Sequence, residues 1–262
     1  SIDTLRISLK NLMVYNHLNE AYREVLREVC FNSDYRTSPR GLPIREKVDY
    51  VFSVLNPTAE PIITADLERN KIIADYTAKE FALYNNGTNK VADFAKASKF
   101  WEKLANPDGT VNSAYGHLIW NNYSCTSIFS NRAMTPWEWA RESLEADKDT
   151  RQAIMRFSLP EHQWIGNKDQ TCTMHGNWLI RENKLNLTIT MRSQDMVKGA
   201  VYDWPWFCSL MDKMLLELKP KYPTLEKGTY THFVHSVHCY EKDSEVIQKM
   251  IGPLLLEGKP LC

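Results

Sequence analysis

The chain has 262 residues, 32 of them Lys or Arg and 32 Asp or Glu, so its formal net charge is zero. The missing basic excess argues against a duplex-binding protein and leaves room only for a local phosphate pocket. No apolar run approaches the roughly 18 residues of a membrane-spanning helix, so no such helix is expected. Hydrophobic residues at 43% and charged residues at 24% are those of a globular protein able to bury a sizeable core. The six cysteines (Cys30, Cys125, Cys172, Cys208, Cys239 and Cys262) are scattered without a C-x-x-C pair, the pattern of free thiols in a reducing cytoplasm. The sequons at Asn86, Asn122 and Asn186 then carry no meaning.

Taken in chain order, residues 17–29 place Leu18, Tyr22, Val25, Leu26 and Val29 at helical spacing. Asn32 to Gly41 is a loop by its turn residues, and Val48 to Leu55 reads as a strand. Residues 75–85 and 91–104 read as helices, with a turn at Asn106-Pro107-Asp108-Gly109. Thr135 and Pro136 open a helix over 135–147 as cap and first residue. Residues 152–158, 172–181 and 185–192 read as strands, the last two joined as a hairpin by Glu182-Asn183-Lys184. A helix over about 204–219, a strand over 229–240 and a short helix over 242–251 complete the pattern. Long central strands with helices around them predict an α+β fold on one large mixed sheet, a single domain over 1–262 with residues 1–20 as an N-terminal extension.

Three groups of residues could carry chemistry. Cys172, in DQTCT, stands at the mouth of a predicted strand, where a thiol can face a pocket; a buried structural cysteine is the competing reading. The run from Met191 to Trp204 gathers Arg192, Ser193, Asp195, Gly199 and Asp203 at a strand-to-helix junction suited to holding a phosphate; a capped helix start with solvated charges explains it equally well. His232, His235 and His238 suggest a metal face at helical spacing, but on a strand His235 points away from the other two. Zinc-deaminase spacing is absent as well, so no metal is expected.

In this order the segments resemble the thymidylate synthase superfamily, over roughly residues 70–250 and more faintly over 20–55. TRQAIMRF resembles its arginine strand, CTMHGNWLIR its nucleophile strand, MRSQDMVKGAVYD its R-S-x-D segment and HSVHCY its H-x-Y segment. Lys79-Glu80-Phe81, Lys99-Phe100-Trp101 and Ser113-Ala114-Tyr115-Gly116 resemble the catalytic-glutamate helix, the folate-side tryptophan and the Y-G motif. Departures matter too. Asp203 stands where the synthases have asparagine, and Thr173 where they have histidine, both as in phage-type deoxycytidylate hydroxymethylases. Gln152 replaces the second arginine of the arginine strand, and the surroundings of Arg36 and Arg40 match the phosphate loop only loosely.

The resemblance implies a one-carbon transferase acting on C5 of a pyrimidine nucleoside monophosphate, with 5,10-methylenetetrahydrofolate as co-substrate, no metal, and a cytoplasmic homodimer (host cytoplasm for a viral chain). Cys172 would add to C6 as a thiolate, favoured by the charge of Arg192. Arg36, Ser193, Arg192 and, from the other subunit, Arg151 would hold phosphate. His238 and Tyr240 would take the 3′-hydroxyl. Glu80 would relay protons, and Asp195, Trp101, Gly199 and Tyr202 would hold the folate. Asp203 would decide the base: a carboxylate accepts from N4–H₂ of cytosine and from N3 once it is protonated, whereas it meets O4 of uracil lone pair to lone pair. The expected product is 5-hydroxymethyl-dCMP. 5-Methyl-dCMP, uridylate chemistry and a non-catalytic nucleotide-binding protein are the alternatives.

Overall fold

The computed structural model describes residues 12–125 and 131–252. Residues 1–11, which make up most of the expected N-terminal extension, lie outside the described residues, as does Cys262. The chain divides into two compact units. Among the described residues, one comprises 12–75, 191–209 and 228–252, the other 76–125, 131–190 and 210–227. Parallel and antiparallel pairs occur together, so the sheet is mixed and the architecture α+β, as expected.

In the first unit the strands run in the order β1 (Leu12–Tyr15), β3 (Ile44–Val54), β8 (Glu226–Tyr240). β1 is parallel to β3, and β3 antiparallel to β8 from Ile44↔Tyr240 to Val54↔Tyr230. The short β7 (Gln194–Asp195) pairs parallel with β8, setting Gln194 beside Val237 and Asp195 beside His238. Helix α1 (Leu18–Phe31) buries Leu18, Tyr22, Val25, Leu26 and Val29, the stripe read from the sequence. The stretch Asn32 to Gly41 is not wholly a loop: β2 (Tyr35–Thr37) lies in it, antiparallel to β3. The turn preceding it is tied down by Asp34, whose N–H donates to Glu46 O and whose Oδ2 accepts from Val48 N. Turn-type composition conceals an edge strand that only its partner stabilises.

In the second unit the order is β6 (Lys184–Met191), β5 (Thr173–Arg181), β4 (Ile154–Arg156). The β5–β6 hairpin turns on Glu182 and Asn183 alone, both with positive φ (49° and 59°), and Lys184 already belongs to β6. Two left-handed residues suit the right-handed twist of paired strands. Helix α2 (Leu67–Asn86) begins earlier than expected because Asp66 Oδ1 accepts from the N–H groups of Glu68 and Arg69. The expected helix over 91–104 breaks at Ser98 into α3 (Val91–Ala97) and a 3₁₀ turn (Lys99–Leu104). Helix α4 (Tyr115–Trp120) packs so closely on α2 that a Cβ at Gly116 would lie 1.7 Å from the Tyr84 carbonyl oxygen, so only glycine fits. Helix α5 (Pro136–Ala146) starts in a full capping box between Thr135 and Glu138, and Trp137 packs edge-on to Trp120 and Trp178.

Helix α6 (Val201–Leu218) follows a wide turn at Met196–Ala200 capped by Asp195, and α7 (Ser244–Ile251) ends the described chain. No described helix is long and apolar enough to cross a membrane.

Candidate active site

The first unit assembles most of the expected binding residues around β7. Arg192 and Ser193 lie in the bend between β6 and β7, Arg192 exposed and Ser193 half-buried. Asp195 caps the wide turn, its Oδ1 accepting from Val197 N at 2.9 Å. The parallel register sets it beside His238, and the two charges support one another, yet burial dominates both. Burial lifts the Asp195 carboxyl above its ordinary range and pushes the His238 imidazole down, with Arg192 lowering His238 further. Tyr240 stands edge-on to His238, ring centroids 5.2 Å apart. Arg36 is exposed on β2 in register with Arg45.

Asp203 opens α6 and is 8% exposed. Burial raises its carboxyl to about 7, a bond from the Gln194 side chain pulls it back, and the neighbouring Asp195 charge pushes it further up. Gln194 donates through Nε2 to Asp203 Oδ2 at 3.0 Å and accepts through Oε1 from the Trp204 indole at 3.1 Å. Gly199 has a steric duty here: a Cβ would stand 2.7 Å from Gln194 Nε2 and 3.8 Å from Asp203 Oδ2. Tyr202 is buried beside Asp203 in the chain. The sequence carries no signal for Gln194, since the resemblance leaves its position unspecified and its burial and partners exist only in the folded chain.

The three histidines do not form one face. His232 is fully buried, its Nδ1 2.7 Å from Tyr230 Oη, and burial drives it down to about 3. His235 turns outward to Asp49 at 2.7 Å. Among the described residues no group of three His, Cys, Asp or Glu side chains could hold a metal.

The second unit carries Glu80, Trp101, Arg151 and Cys172. Glu80 is 5% exposed on α2. Trp101, in the 3₁₀ turn, donates its indole N–H to Tyr76 Oη at 2.9 Å and packs on Phe94 at 4.5 Å. Tyr76 and Glu80 are four residues apart, so Trp101 is fastened to the helix face that bears Glu80. Arg151 is exposed. Cys172 is half-buried just before β5, while Thr173 points into the core and is fully buried. The loop before Cys172 is pinned at Asp169. Its carboxylate accepts from the backbone N–H of Ser113 at 2.8 Å and from the Ser113 hydroxyl, and its carbonyl accepts from Asn112 Nδ2 at 3.2 Å. Asp169 and Asn112 gave no signal in the sequence, since a turn aspartate is commonplace until its partner, some 56 residues distant, is known.

The family profile of thymidylate synthase matches residues 20–253. The deoxycytidylate 5-hydroxymethyltransferases of Enterobacteria phages T6 and T4 are each 28% identical over 217 residues, covering 77% of this chain and 83% of theirs. The deoxyuridylate hydroxymethyltransferase of Bacillus phage SP01 is 26% identical over 247 residues, 89% of this chain and 61% of that protein. Among solved structures, thermostable thymidylate synthase A from Bacillus subtilis superposes with a TM-score of 0.67 at 17% identity, over 90% of this chain and 84% of the other. A profile match across nearly the whole described chain, together with this shared fold, places the protein in the thymidylate synthase family, and it is a one-carbon transferase.

Proposed function

We propose that the protein transfers a one-carbon unit from 5,10-methylenetetrahydrofolate to C5 of dCMP and releases 5-hydroxymethyl-dCMP. The observation that carries the base is Asp203, a buried carboxyl lifted to about 7. Near neutral pH such a group can carry a proton to N3 and then accept from N3–H and N4–H₂ as a carboxylate. The likeness to the phage deoxycytidylate enzymes supports the same choice, while the deoxyuridylate relative names the competing one.

C5 of a pyrimidine is a weak nucleophile. Addition of the Cys172 thiolate across C5–C6 converts it into an enamine carbon able to attack an electrophile. As charge builds on the ring, N3 takes the Asp203 proton, and the resulting ion pair strengthens where the barrier is highest. Glu80 moves protons at the C4 side through water. Arg192, Ser193 and Arg36 hold the phosphate; His238 and Tyr240 hold the 3′-hydroxyl. The exposed Arg151 reaches the phosphate of a second subunit in a homodimer.

The folate supplies the carbon at the oxidation level of formaldehyde. The residues present suit it: Asp195 is a half-buried carboxyl with an anchored Oδ1, matched to pterin N–H groups, and Trp101 offers a fixed aromatic ring. Once C5 bears the carbon, loss of the C5 proton expels tetrahydrofolate as the leaving group and leaves an exocyclic methylene on the ring; addition of water there gives hydroxymethyl, whereas hydride would give methyl. Loss of the C6–sulfur bond then frees Cys172. Mass spectrometry of the product from dCMP tests the reading. A gain of CH₂O supports it, a gain of CH₂ makes the enzyme a methyltransferase, and absence of tritium release from C5 of dCMP overturns it.

A further inference from the structure

Gln194 is 3% exposed and stands between two neighbours. Its Oε1 accepts from Trp204 Nε1 at 3.1 Å, and its Nε2 donates to Asp203 Oδ2 at 3.0 Å. An indole N–H can only donate, so the amide oxygen must face it, and turning the amide over would set donor against donor. Trp204 is held in place, fully buried against Phe52 at 4.6 Å, His232 at 5.3 Å and Tyr22 at 5.8 Å. Gly199 closes another side, where any Cβ would press on Gln194 Nε2. Packing of one indole thus fixes the direction of one amide, which ends on one oxygen of Asp203.

A carboxyl group by itself is two-faced. Protonated on one oxygen it matches cytosine, with a donor toward N3 and an acceptor toward N4–H₂. Protonated on the other it matches uracil, with a donor toward O4 and an acceptor toward N3–H. We propose that Gln194 is a positioning residue that makes the two Asp203 oxygens inequivalent, Oδ2 a fixed acceptor and Oδ1 the proton carrier, and thereby sets the preference for a 4-amino over a 4-oxo pyrimidine. This rests on the cytosine reading above. Oδ2 already accepts from Gln194 and keeps a lone pair for N4–H₂. Oδ1 gives its proton to N3 and recovers it when the product leaves. The uracil arrangement would need the proton on Oδ2, against the N–H of Gln194. The groups acting on Asp203 are Gln194 and Asp195 from β7 and Tyr230 from β8.

The test compares wild type, Gln194→Met and Trp204→Phe by kcat/KM for C5 tritium release from dCMP and from dUMP across neutral pH. The methionine variant keeps the volume and removes the donor. It is expected to lower the dCMP:dUMP ratio by roughly tenfold to a hundredfold, the scale of a hydrogen bond to a charged group. It also shifts the falling alkaline limb for dCMP upward by about one pH unit, because the ionised Asp203 loses its supporting donor. Trp204→Phe frees the amide to rotate and moves both readouts the same way by less, and it carries the comparison should the methionine variant not fold. A residue that only packs would lower both substrates equally and leave the limb in place, which overturns the role while leaving the cytosine reading intact. A wild type that prefers dUMP, or releases tritium from neither nucleotide, overturns that reading and the Gln194 role with it.

Discussion

Asp203 and Cys172 are held in opposite ways. Asp203 sits on a helix start fixed by a buried tryptophan and a buried amide, with 8% of its surface exposed. Cys172 is half-buried at the end of a loop that Asp169, three residues earlier, ties to Ser113. A group that selects among bases gains from rigidity and low dielectric, because a mismatched lone pair is costly only where water cannot replace the missing partner. A nucleophile that is to form and later break a bond to C6, the role proposed for Cys172, needs access, and a loop edge offers it.

That contrast can be broken at several points. Cys172→Ala should abolish C5 tritium release, with a loss of about 10⁴-fold or more, while dCMP binding measured by calorimetry persists, since the bond to C6 has no substitute. Next in size, Asp203→Asn should exchange one donor-acceptor pattern for the other and shift the dCMP:dUMP ratio of kcat/KM toward dUMP by roughly tenfold to a hundredfold. Unchanged selectivity would place base recognition elsewhere. Asp169→Ala should lower kcat by about tenfold to a hundredfold with little change in KM, because it releases the Cys172 loop and not the nucleotide contacts. The rate of Cys172 alkylation by iodoacetamide reports the same loosening.

The smallest effect is on stability. The Asp203 carboxyl is raised from 3.8 to about 7 in the folded chain. The native state therefore keeps a proton that the unfolded chain releases, and this contribution, complete below about pH 4, is lost as pH rises through about 7. Three pKa units correspond to about 4 kcal/mol as an upper bound. The melting temperature of wild type should fall relative to Asp203→Asn over that window, and parallel curves would show that burial does not hold the proton there.

The sequence displayed much of the scaffold. The α1 stripe, the Thr135-Pro136 start of α5 and the β5–β6 hairpin follow from local chemistry, in the form of apolar spacing, a capping hydroxyl and two turn residues. His235 on the opposite face from His232 and His238 follows from the two-residue period of a strand. Edge strand β2 and the early start of α2 escaped, since each depends on partners, β3 in one case and the Asp66 carboxylate in the other. Asp169 and Gln194 escaped for the same reason. Nothing in their neighbourhoods along the chain distinguishes them from a loop aspartate and a strand glutamine.

By itself the sequence determined which residue types are available: a thiol at 172, a carboxyl in place of an amide at 203, carboxylates at 80 and 195. The tertiary structure alone decided their state. Burial of Asp203 beside Asp195 moves its proton affinity to neutrality, and the Trp204 indole dictates which way Gln194 faces it. Proton affinity and hydrogen-bond direction depend on desolvation and on neighbours brought together by folding, and linear order encodes neither.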